Sequence, residues 1–223
     1  MKTLVSFSSG KDSAWMIHVL RQTPGVELAG LLTTVNVSAG RVAMHAVRES
    51  LLHLQARALG LPLRIIPIPS PCSNEVYEQL MSGAVRDAVA QDFTHIAFGD
   101  LFLEDIRAYR ERQLAGTGLE PVFPLFGAET ASLAREMIAA GLKARLTCVD
   151  PRVLDRRFVS REFDTVLLDE LPQGVDPCGE RGEFHSFAYD GPMFSAPVPV
   201  VNGEVVERDG FVFADLISAE SLP

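Results

Sequence analysis

Cysteine is scarce in this sequence of 223 residues. The three cysteines, Cys72, Cys148 and Cys178, lie far apart, are odd in number and form no Cys-x-x-Cys pair. The pattern therefore argues against a disulfide framework and against a zinc site built from thiolates. We interpret the three as buried or incidental thiols.

Long apolar runs are also missing. No run approaches the roughly 18–20 residues that a membrane-spanning helix needs. The apolar stretch Thr3–Phe7 ends at Ser8, before it reaches the roughly 7–15 residues of the apolar part of a secretory signal. We therefore expect a cytoplasmic protein with no membrane partner.

Positive charge is in short supply. The chain has 20 Lys and Arg against 29 Asp and Glu, which gives a formal net charge of −9. A long nucleic-acid track relies on many Lys and Arg contacts to phosphates, so this balance argues against nucleic acid as a partner. A small local basic pocket stays compatible with it.

What the sequence does have is a regular alternation of strand and helix patterns. Apolar residues make up 47% and charged residues 22% of the chain, as in a packed globular protein. The alternation indicates βαβ units with right-handed crossovers, and hence an α/β, Rossmann-like parallel sheet with helices on both faces. The predicted strands are Thr3–Ser8, Glu27–Val35, Leu63–Ile68, His95–Asp100 and Pro121–Leu125, and the predicted helices are Asp12–Arg21, Val42–Leu59, Asn74–Ala90 and Leu103–Leu114.

The rhythm changes near Gly127, where we predict a boundary between a domain 1–127 and a smaller α/β or β-rich domain 128–223. In the second domain, Asn202-Gly203 predicts a hairpin turn, because both central residues of such a turn adopt positive φ. The other predicted elements there are the helices Thr130–Ala140 and Ser160–Glu170 and the strands Leu142–Val149, Glu183–Tyr189, Pro197–Val201 and Glu204–Ala214.

An anion-binding loop is indicated between the first strand and the first helix, at Ser8-Ser9-Gly10-Lys11-Asp12-Ser13. Small residues let backbone amides approach a phosphate, and the helix N-terminus adds about half a positive charge. Lys11 adds a full charge and the serines add hydroxyl donors. The loop is not a Walker A motif, because Val5 and Asp12 stand where that motif requires glycine and Ser or Thr. A capped turn with solvated charges is the alternative.

The same six residues resemble the Ser-Gly-Gly-Lys-Asp-Ser loop of the N-type ATP pyrophosphatases, whose Rossmann-like domain is of the HUP type. In that family the loop holds the β- and γ-phosphates while ATP is cleaved between α and β, which gives an adenylylated intermediate and pyrophosphate. The resemblance implies ATP and Mg²⁺ as cofactors. Ser9 replaces the first glycine of the family loop, and if that position requires positive φ, serine costs on the order of 1 kcal/mol there.

The resemblance extends along almost the whole chain to one branch, the diphthine–ammonia ligase-like ATP-binding proteins. The most specific match is Asp176–Phe184, which contains a Gly-Glu-x-Gly-Glu pattern and runs on to Asp190-Gly191-Pro192. The other matching stretches are Met44-His45, Gln55-Ala56, Gly60-Leu61-Pro62-Leu63, Phe98-Gly99-Asp100 and Pro124-Leu125-Phe126-Gly127.

Candidate nucleotide-binding residues lie at the predicted strand ends. Asp100 ends the fourth predicted strand at the same sheet edge as the phosphate loop, where a carboxylate either holds Mg²⁺ or caps a helix. On the next helix, Arg110 is placed to reach the triphosphate, and a surface ion pair between Arg107 and Glu111 is the alternative role for this helix. The candidate nucleotide-binding residues are Ser8, Ser9, Gly10, Lys11, Asp12, Ser13, Thr33, Thr34, His45, Gly99 and Arg110, and the candidate Mg²⁺ ligands are Asp12 and Asp100.

The C-terminal match crowds ionisable groups among glycines. It is either a solvated turn or a loop that closes over Mg·ATP and positions an amine or ammonia. The diphthine enzymes carry a Glu after the aromatic residue of the pattern, whereas this chain has His185, which donates or accepts a proton near neutral pH. The candidate catalytic residues are Lys11, Asp100, Glu180, Glu183 and His185.

The sequence thus predicts an ATP-dependent, AMP-forming amide ligase. The resemblance implies an acceptor carboxylate on a modified histidine of a translation factor, and ammonia or an amine as the nucleophile. Two alternatives stay open at this point: a protein that binds or senses ATP without turnover, and an RNA-modifying ATP pyrophosphatase. A homodimer is one oligomeric state compatible with the sequence.

Overall fold

The computed structural model describes residues 1–42 and 46–221, and in this part of the chain it has the predicted α/β class. A largely parallel sheet with helices on both faces takes up the first half, and an antiparallel sheet follows. The first-half elements are β1 (Lys2–Ser6), α1 (Lys11–Arg21), β2 (Glu27–Asn36), β3 (Arg41–Val42), α2 (Glu49–Leu59), β4 (Leu63–Ile68), α3 (Asn74–Val89), β5 (His95–Ala97), α4 (Glu104–Leu114) and β6 (Glu120–Val122).

Strand pairing fixes the order of the first sheet. Leu31 of β2 pairs with Val5 of β1 and with Leu63 of β4, so β1 and β4 flank β2 on opposite sides. β5 pairs with β1, and β6 pairs with β5, all in parallel. The parallel order is therefore β4-β2-β1-β5-β6, and the direction of winding reverses between β1 and β5. That switch point is where open α/β sheets bind their ligands.

The helices divide between the two faces of this sheet. Val5 points into a core that contains Trp15 of α1 and Leu51 of α2. Its neighbour Leu4 points the other way, into a smaller core that contains Ala88 of α3 and Leu114 of α4. The period of two along β1 thus separates α1 and α2 from α3 and α4, as right-handed crossovers on either side of β1 require.

The second sheet is antiparallel, and its strands lie in the order β8 (Phe184–Asp190), β7 (Lys143–Val149), β10 (Phe211–Ser218) and β9 (Val200–Arg208). Its side chains Phe187 and Val212 belong to the same buried cluster as Trp15 of α1, so one core joins the two halves of the chain. The proposed division at residue 127 falls between the sheets. The elements here are α5 (Thr130–Ala139), β7 (Lys143–Val149), a 3-10 helix (Arg156–Phe158), α6 (Thr165–Glu170), β8 (Phe184–Asp190), β9 (Val200–Arg208), β10 (Phe211–Ser218) and a second 3-10 helix (Ala219–Ser221).

The hairpin turn predicted at Asn202-Gly203 is wrong. Both residues lie inside β9, and the chain turns instead at Asp209 and Gly210, whose φ angles are 53° and 80°. Gly203 packs closely against the neighbouring strand, since a Cβ there would lie 2.9 Å from Cδ1 of Ile217 on β10. The glycine therefore serves cross-strand packing rather than a turn.

The helix predicted from Val42 begins only at Glu49. Val42 belongs to β3, and its amide donates to Val47, so the chain folds back before the helix starts. Met44 and His45, which that prediction included, lie outside the described residues.

The helix predicted from Ser160 begins only at Thr165. The segment before it is extended, since Glu162 forms an antiparallel bridge with Arg145 of β7. Asp164 then caps the short helix, with its Oδ1 accepting from the amide of Leu167 at 2.7 Å. Among the helices of residues 1–42 and 46–221, none is long and apolar enough to cross a membrane.

Candidate functional site

A cavity of about 630 Å³ opens at the carboxyl ends of β1, β2 and β5. Its size is within the roughly 300–1,000 Å³ of typical small-molecule sites, and it lies at the switch point of the sheet. Its walls come from the loop after β1, from α3 and α4, and from the segment leading into β8. The predicted site residues that line it are Ser8, Lys11, Asp12, Ser13, Thr33, Thr34, Gly99, Asp100, Arg110, Glu180 and His185.

Four predicted residues are not among those lining the cavity. Ser9 and Gly10 are buried behind the surface of the phosphate loop, and Glu183 is buried inside the segment that precedes β8. His45 lies outside the described residues.

The phosphate loop is closed by its own serines. The hydroxyls of Ser8 and Ser13 lie 3.2 Å apart, and the Ser13 hydroxyl donates to the carbonyl of Gly10 at 3.0 Å. The amide of Gly10 donates to Ser8 Oγ at 3.4 Å. Ser9 has a φ of 70°, so the family glycine position does require the left-handed region here. Amide and hydroxyl donors thus gather at the N-terminus of α1, where an anion is stabilised.

The Lys11 side chain is buried, with 1% of its surface exposed. Its ammonium lies 2.8 and 2.9 Å from the two Asp12 carboxylate oxygens and also donates to the carbonyl of Cys178. Burial alone would lower the pKa of Lys11, but the nearby Asp12 and Asp176 carboxylates outweigh burial and raise it, so the side chain stays charged. Lys11 therefore joins the phosphate loop to the segment before β8 while facing the cavity.

Gly99 brings β5 against the start of α1. A Cβ at Gly99 would lie 3.3 Å from the carbonyl carbon of Asp12 and from the amide nitrogen of Ser13. Because these are backbone atoms, they cannot swing aside as a flexible side chain would. The missing side chain thus lets the end of β5 and its Asp100 approach the phosphate loop closely.

Asp100 and Arg110 form a two-pronged ion pair at the cavity wall. Arg110 Nε and a terminal nitrogen lie 2.6 and 3.0 Å from the two Asp100 oxygens, and its guanidinium lies 4.3 Å from the Phe98 ring centroid. Arg107 and Glu111 form the predicted surface ion pair at 2.9 Å. Arg110 therefore lies at the cavity, and in this structure its donors are directed to Asp100.

Glu183 organises the loop that precedes β8. Its two carboxylate oxygens each accept a backbone hydrogen bond at 3.0 Å, from the amides of Asp176 and Arg181. The side chain is buried, and both of its oxygens are already engaged. Glu183 thus holds the shape of the loop, and its catalytic role stays a prediction.

Glu180 presents a carboxyl group to the cavity from this loop. Its Oε1 accepts from the amide of Leu101 at 2.8 Å. Burial raises the pKa of Glu180 to about 7, and the charges of Asp12 and Asp100 add to the rise. A carboxyl with such a pKa takes up or releases a proton near neutral pH, which suits general acid–base chemistry.

Thr33 and Thr34 lie at the end of β2, and both line the cavity, as does Val42 of β3. The Thr33 hydroxyl is buried and donates to the carbonyl of Phe7 at 2.7 Å. That bond ties β2 to the residue before the phosphate loop. Thr34, which is half-buried, is the threonine whose surface is open to the cavity.

Sequence reasoning missed residues that support or complete this site. Ser186 of β8 accepts from the amide of Lys11 at 3.2 Å, and Gln55 of α2 contacts the phosphate loop from behind. Tyr77 and Met81 of α3 line the cavity wall opposite the phosphate loop. Gln55 belongs to the stretch Gln55-Ala56 that resembles the ligase family, so the sequence did carry a signal for it. Tyr77 and Met81 reach the cavity through the packing of α3, which the sequence does not show.

The cavity carries more acid than base. Asp12, Asp100 and Glu180 line it together with the cations Lys11 and Arg110, and each of the two aspartates is already paired with one of the cations. A polyphosphate entering such a site needs additional positive charge. The described residues contain no group of three or more Cys, His, Asp and Glu side chains arranged for a metal ion, but Mg²⁺ with a nucleotide needs only one or two carboxylates beside the phosphates.

Residues 129–215 match the family model of the diphthamide synthase C-terminal domain. The segment includes the loop of Glu180 and Glu183 and most of the second sheet.

Similarity to curated relatives extends over almost the whole chain. The diphthine–ammonia ligase of Mus musculus is 28% identical over 237 residues, covering 96% of this chain and 88% of the relative. The human enzyme of the same name is 27% identical, again over 96% of this chain and 88% of its own length. These matches confirm the resemblance that the motifs indicated.

A solved structure is similar at a lower level. It is a Methanocaldococcus jannaschii protein described as a predicted subunit of tRNA methyltransferase. It aligns with a TM-score of 0.43 and 16% identity, over 66% of this chain and 80% of that chain.

Proposed function

We propose that this protein is an ATP-dependent amide-forming ligase of the diphthine–ammonia ligase type, which cleaves ATP to AMP and pyrophosphate. One observation carries the proposal: the phosphate loop after β1 and the Glu180 loop before β8 meet at a single cavity, at the switch point of the sheet. The similarity to diphthine–ammonia ligases covers both segments.

In this proposal the triphosphate lies against the start of α1. The Ser8 and Ser13 hydroxyls and the helix N-terminus face that position. Thr34 and Val42 lie on the β2 side of the cavity, where the base would be held, and Arg110 lies on the β5 side. Most of the rate acceleration would come from positioning and charge neutralisation, since the reaction requires little covalent chemistry from the protein.

The residues present fit Mg²⁺ as the companion of ATP. Asp12 and Asp100 would hold the ion, with phosphate oxygens and water as the remaining ligands. The ion would supply charge neutralisation for the departing pyrophosphate. The pairing of Asp12 with Lys11 and of Asp100 with Arg110 supports this role, because it leaves little free positive charge for a triphosphate.

The chemistry has two steps. An oxygen of the acceptor carboxylate attacks the α-phosphorus of ATP, and the bond to the bridging oxygen breaks so that pyrophosphate leaves with the electron pair. Ammonia then attacks the acyl carbon, the bond to the AMP oxygen breaks, and the nitrogen loses a proton as the amide forms. Glu180, with its raised pKa, faces the cavity as an acceptor for that proton, and His185 lines the same cavity.

Oxygen labelling tests this chemistry directly. The acceptor implied by the relatives, a carboxylated modified histidine on a translation factor, is labelled with ¹⁸O in its carboxylate and incubated with the protein, Mg·ATP and ammonium. The proposal predicts one ¹⁸O atom in the released AMP, because the attacking oxygen stays on the α-phosphorus when the amide forms.

The other outcomes are distinct. Label in inorganic phosphate, together with release of ADP, would contradict cleavage between the α- and β-phosphates. Binding of Mg·ATP with no AMP released in the presence of the acceptor and ammonium would favour a nucleotide-sensing protein instead. A Glu104→Gln variant, altered on the exposed side of α4, serves as the matched control for a Glu180→Gln variant, which we expect to slow amide formation.

A further inference from the structure

Gln55 joins the phosphate loop to the second sheet from behind the cavity. It lies on α2, and none of its surface is exposed. Its side-chain amide nitrogen donates to the carbonyl of Ser9 at 2.9 Å and to the carbonyl of Ala188 on β8 at 2.6 Å. Because both neighbours are acceptors, the NH₂ end of the side chain must face them. The carbonyl of Ser9 also accepts from the amide of Ala188 at 3.0 Å.

These bonds set the orientation of one peptide group. The carbonyl of Ser9 and the amide of Gly10 belong to the same planar, trans peptide, so they point in opposite directions. With the carbonyl held towards α2 and β8, the Gly10 amide is turned to the other side, where it donates to Ser8 Oγ at 3.4 Å. Ser8 lines the cavity, so this amide is directed to the side where an anion enters.

The Ser9 conformation makes such external control necessary. A non-glycine residue at a φ of 70° is in a sparsely populated region. The loop therefore has an intrinsic tendency to leave this conformation, and a flip of the Ser9–Gly10 peptide would turn the Ser9 carbonyl and the Gly10 amide the other way. Two donors on the Ser9 carbonyl oppose that change.

We propose that Gln55 is a positioning residue for the nucleotide phosphates, which turns the Gly10 amide towards the β- and γ-phosphates by fixing the Ser9 carbonyl. The inference rests on the proposed function, since it requires ATP at this cavity. It assigns a role to Gln55, which would not touch the ligand itself but would keep the Gly10 amide directed towards the phosphates.

A comparison of Mg·ATP with AMP separates this positioning role from a purely structural one. In a Gln55→Met variant of the full chain, which keeps the side-chain volume and removes both donors, the Kd for Mg·ATP should rise about fivefold or more. The Kd for AMP, which lacks the β- and γ-phosphates, should stay within about twofold of the wild-type value. A Gln55→Leu variant should behave in the same way, because it too has no hydrogen to donate.

Titration calorimetry supplies the two dissociation constants, and Gln113→Met, on the exposed side of α4, is the matched control that should change neither. An equal loss of ATP and AMP affinity would overturn the inference, because it would show general damage to the site. Failure of both Gln55 variants to fold would also overturn it, since the side chain would then serve stability alone. Wild-type protein that binds neither nucleotide would instead contradict the proposed function itself, and the inference with it.

Discussion

At the scale of single residues, the phosphate loop holds conformational strain at Ser9. Its φ is 70°, and its hydroxyl is buried without a hydrogen-bond partner among the described residues. An L-residue in this region costs on the order of 1 kcal/mol relative to glycine, and a buried unpaired hydroxyl adds a desolvation cost. The same backbone conformation directs the Gly10 amide towards Ser8 Oγ at the cavity wall.

Replacement of Ser9 by glycine should therefore stabilise the protein by about 1 kcal/mol. Urea denaturation of the two proteins measures the difference in the free energy of unfolding. Ser9→Ala is the matched control: it removes the hydroxyl but keeps the Cβ, so it should recover less of the stability. A Ser9→Gly variant no more stable than wild type would show that the loop carries no such strain.

Glu180 should make stability depend on pH in the direction opposite to an ordinary surface acid. Its pKa is raised to about 7 in the folded protein, from a model-peptide value of 4.5, because burial disfavours the charged form. The folded state therefore binds the proton more tightly than the unfolded state does. Stability from this group is present at low pH and is lost as pH rises through about 7.

Glu180→Gln removes that titration while keeping an oxygen for the Leu101 amide. Without nucleotide or metal, the melting temperature of the variant minus that of wild type should increase between pH 5 and pH 8. Thermal unfolding followed by circular dichroism at several pH values measures it. A difference that stays constant with pH would mean that Glu180 titrates near its ordinary value.

At the scale of elements, the loop 176–183 depends on one buried carboxylate. The Glu183 carboxylate accepts from the amides of Asp176 and Arg181, and the next residue along the chain is the first of β8. A glutamine has one acceptor oxygen, so one of the two amides would face an NH₂ group and lose its bond. We expect Glu183→Gln to destabilise the protein by roughly 1–3 kcal/mol.

The matched control for that variant is Glu111→Gln on α4, whose exposed pair with Arg107 should be worth about 0.5 kcal/mol or less. Chemical denaturation compares the two. Equal, small losses would mean that the loop does not need the second acceptor of Glu183. Because Glu183 lies behind the cavity surface, the loss in the free energy of ATP binding should be smaller than the loss in the free energy of unfolding.

Asp215 anchors the start of α2 to the second sheet. Its carboxylate accepts from Arg41 at 2.7 Å and from Arg48 at 3.0 Å. Burial would raise the pKa of Asp215, but the bonds to Arg48 and Arg41 outweigh it and lower the pKa. The stability from this carboxylate is therefore present above about pH 3.8, its model-peptide pKa, and is lost as pH falls through the folded pKa.

Asp215→Asn should thus lower the melting temperature at pH 7. The difference from wild type should shrink in acid, where the Asp215 carboxyl is protonated and neutral, as the asparagine is. Asp169→Asn, which disrupts an exposed pair with Arg135, is the control and should have little effect at either pH. A pH-independent loss in Asp215→Asn would assign the contact to packing rather than to charge.

Several elements of the first half were predictable because local patterns determine them, whereas β3 and the late start of α2 were not. The strand Leu63–Ile68 has the predicted bounds, and α1 and α3 differ from the predictions by one residue at one end. The Asn202-Gly203 turn was wrong because the strand β9 continues through both residues and the chain turns at Asp209 and Gly210 instead, which the dipeptide alone does not reveal. The bond from Lys11 to the carbonyl of Cys178 was not predictable either. It joins residues far apart in the sequence and depends on how the two halves of the chain pack.

At the scale of the whole molecule, the candidate site belongs to both halves of the chain. The Ala188 amide donates to the Ser9 carbonyl, Ser186 accepts from the Lys11 amide, and Glu180 accepts from Leu101. A hydrophobic core that includes side chains of both sheets fixes these contacts. Contacts from the second half of the chain therefore help to hold the phosphate loop in the shape seen here.

The most direct test of this account is a crystal structure of the protein with Mg²⁺ and a non-hydrolysable ATP analogue. The account predicts that the β- and γ-phosphates lie within hydrogen-bond distance of the Gly10 amide and of the Ser8 and Ser13 hydroxyls, with Mg²⁺ on Asp12 or Asp100. Density for the nucleotide elsewhere on the molecule, or a phosphate loop left empty at saturating nucleotide, would contradict it.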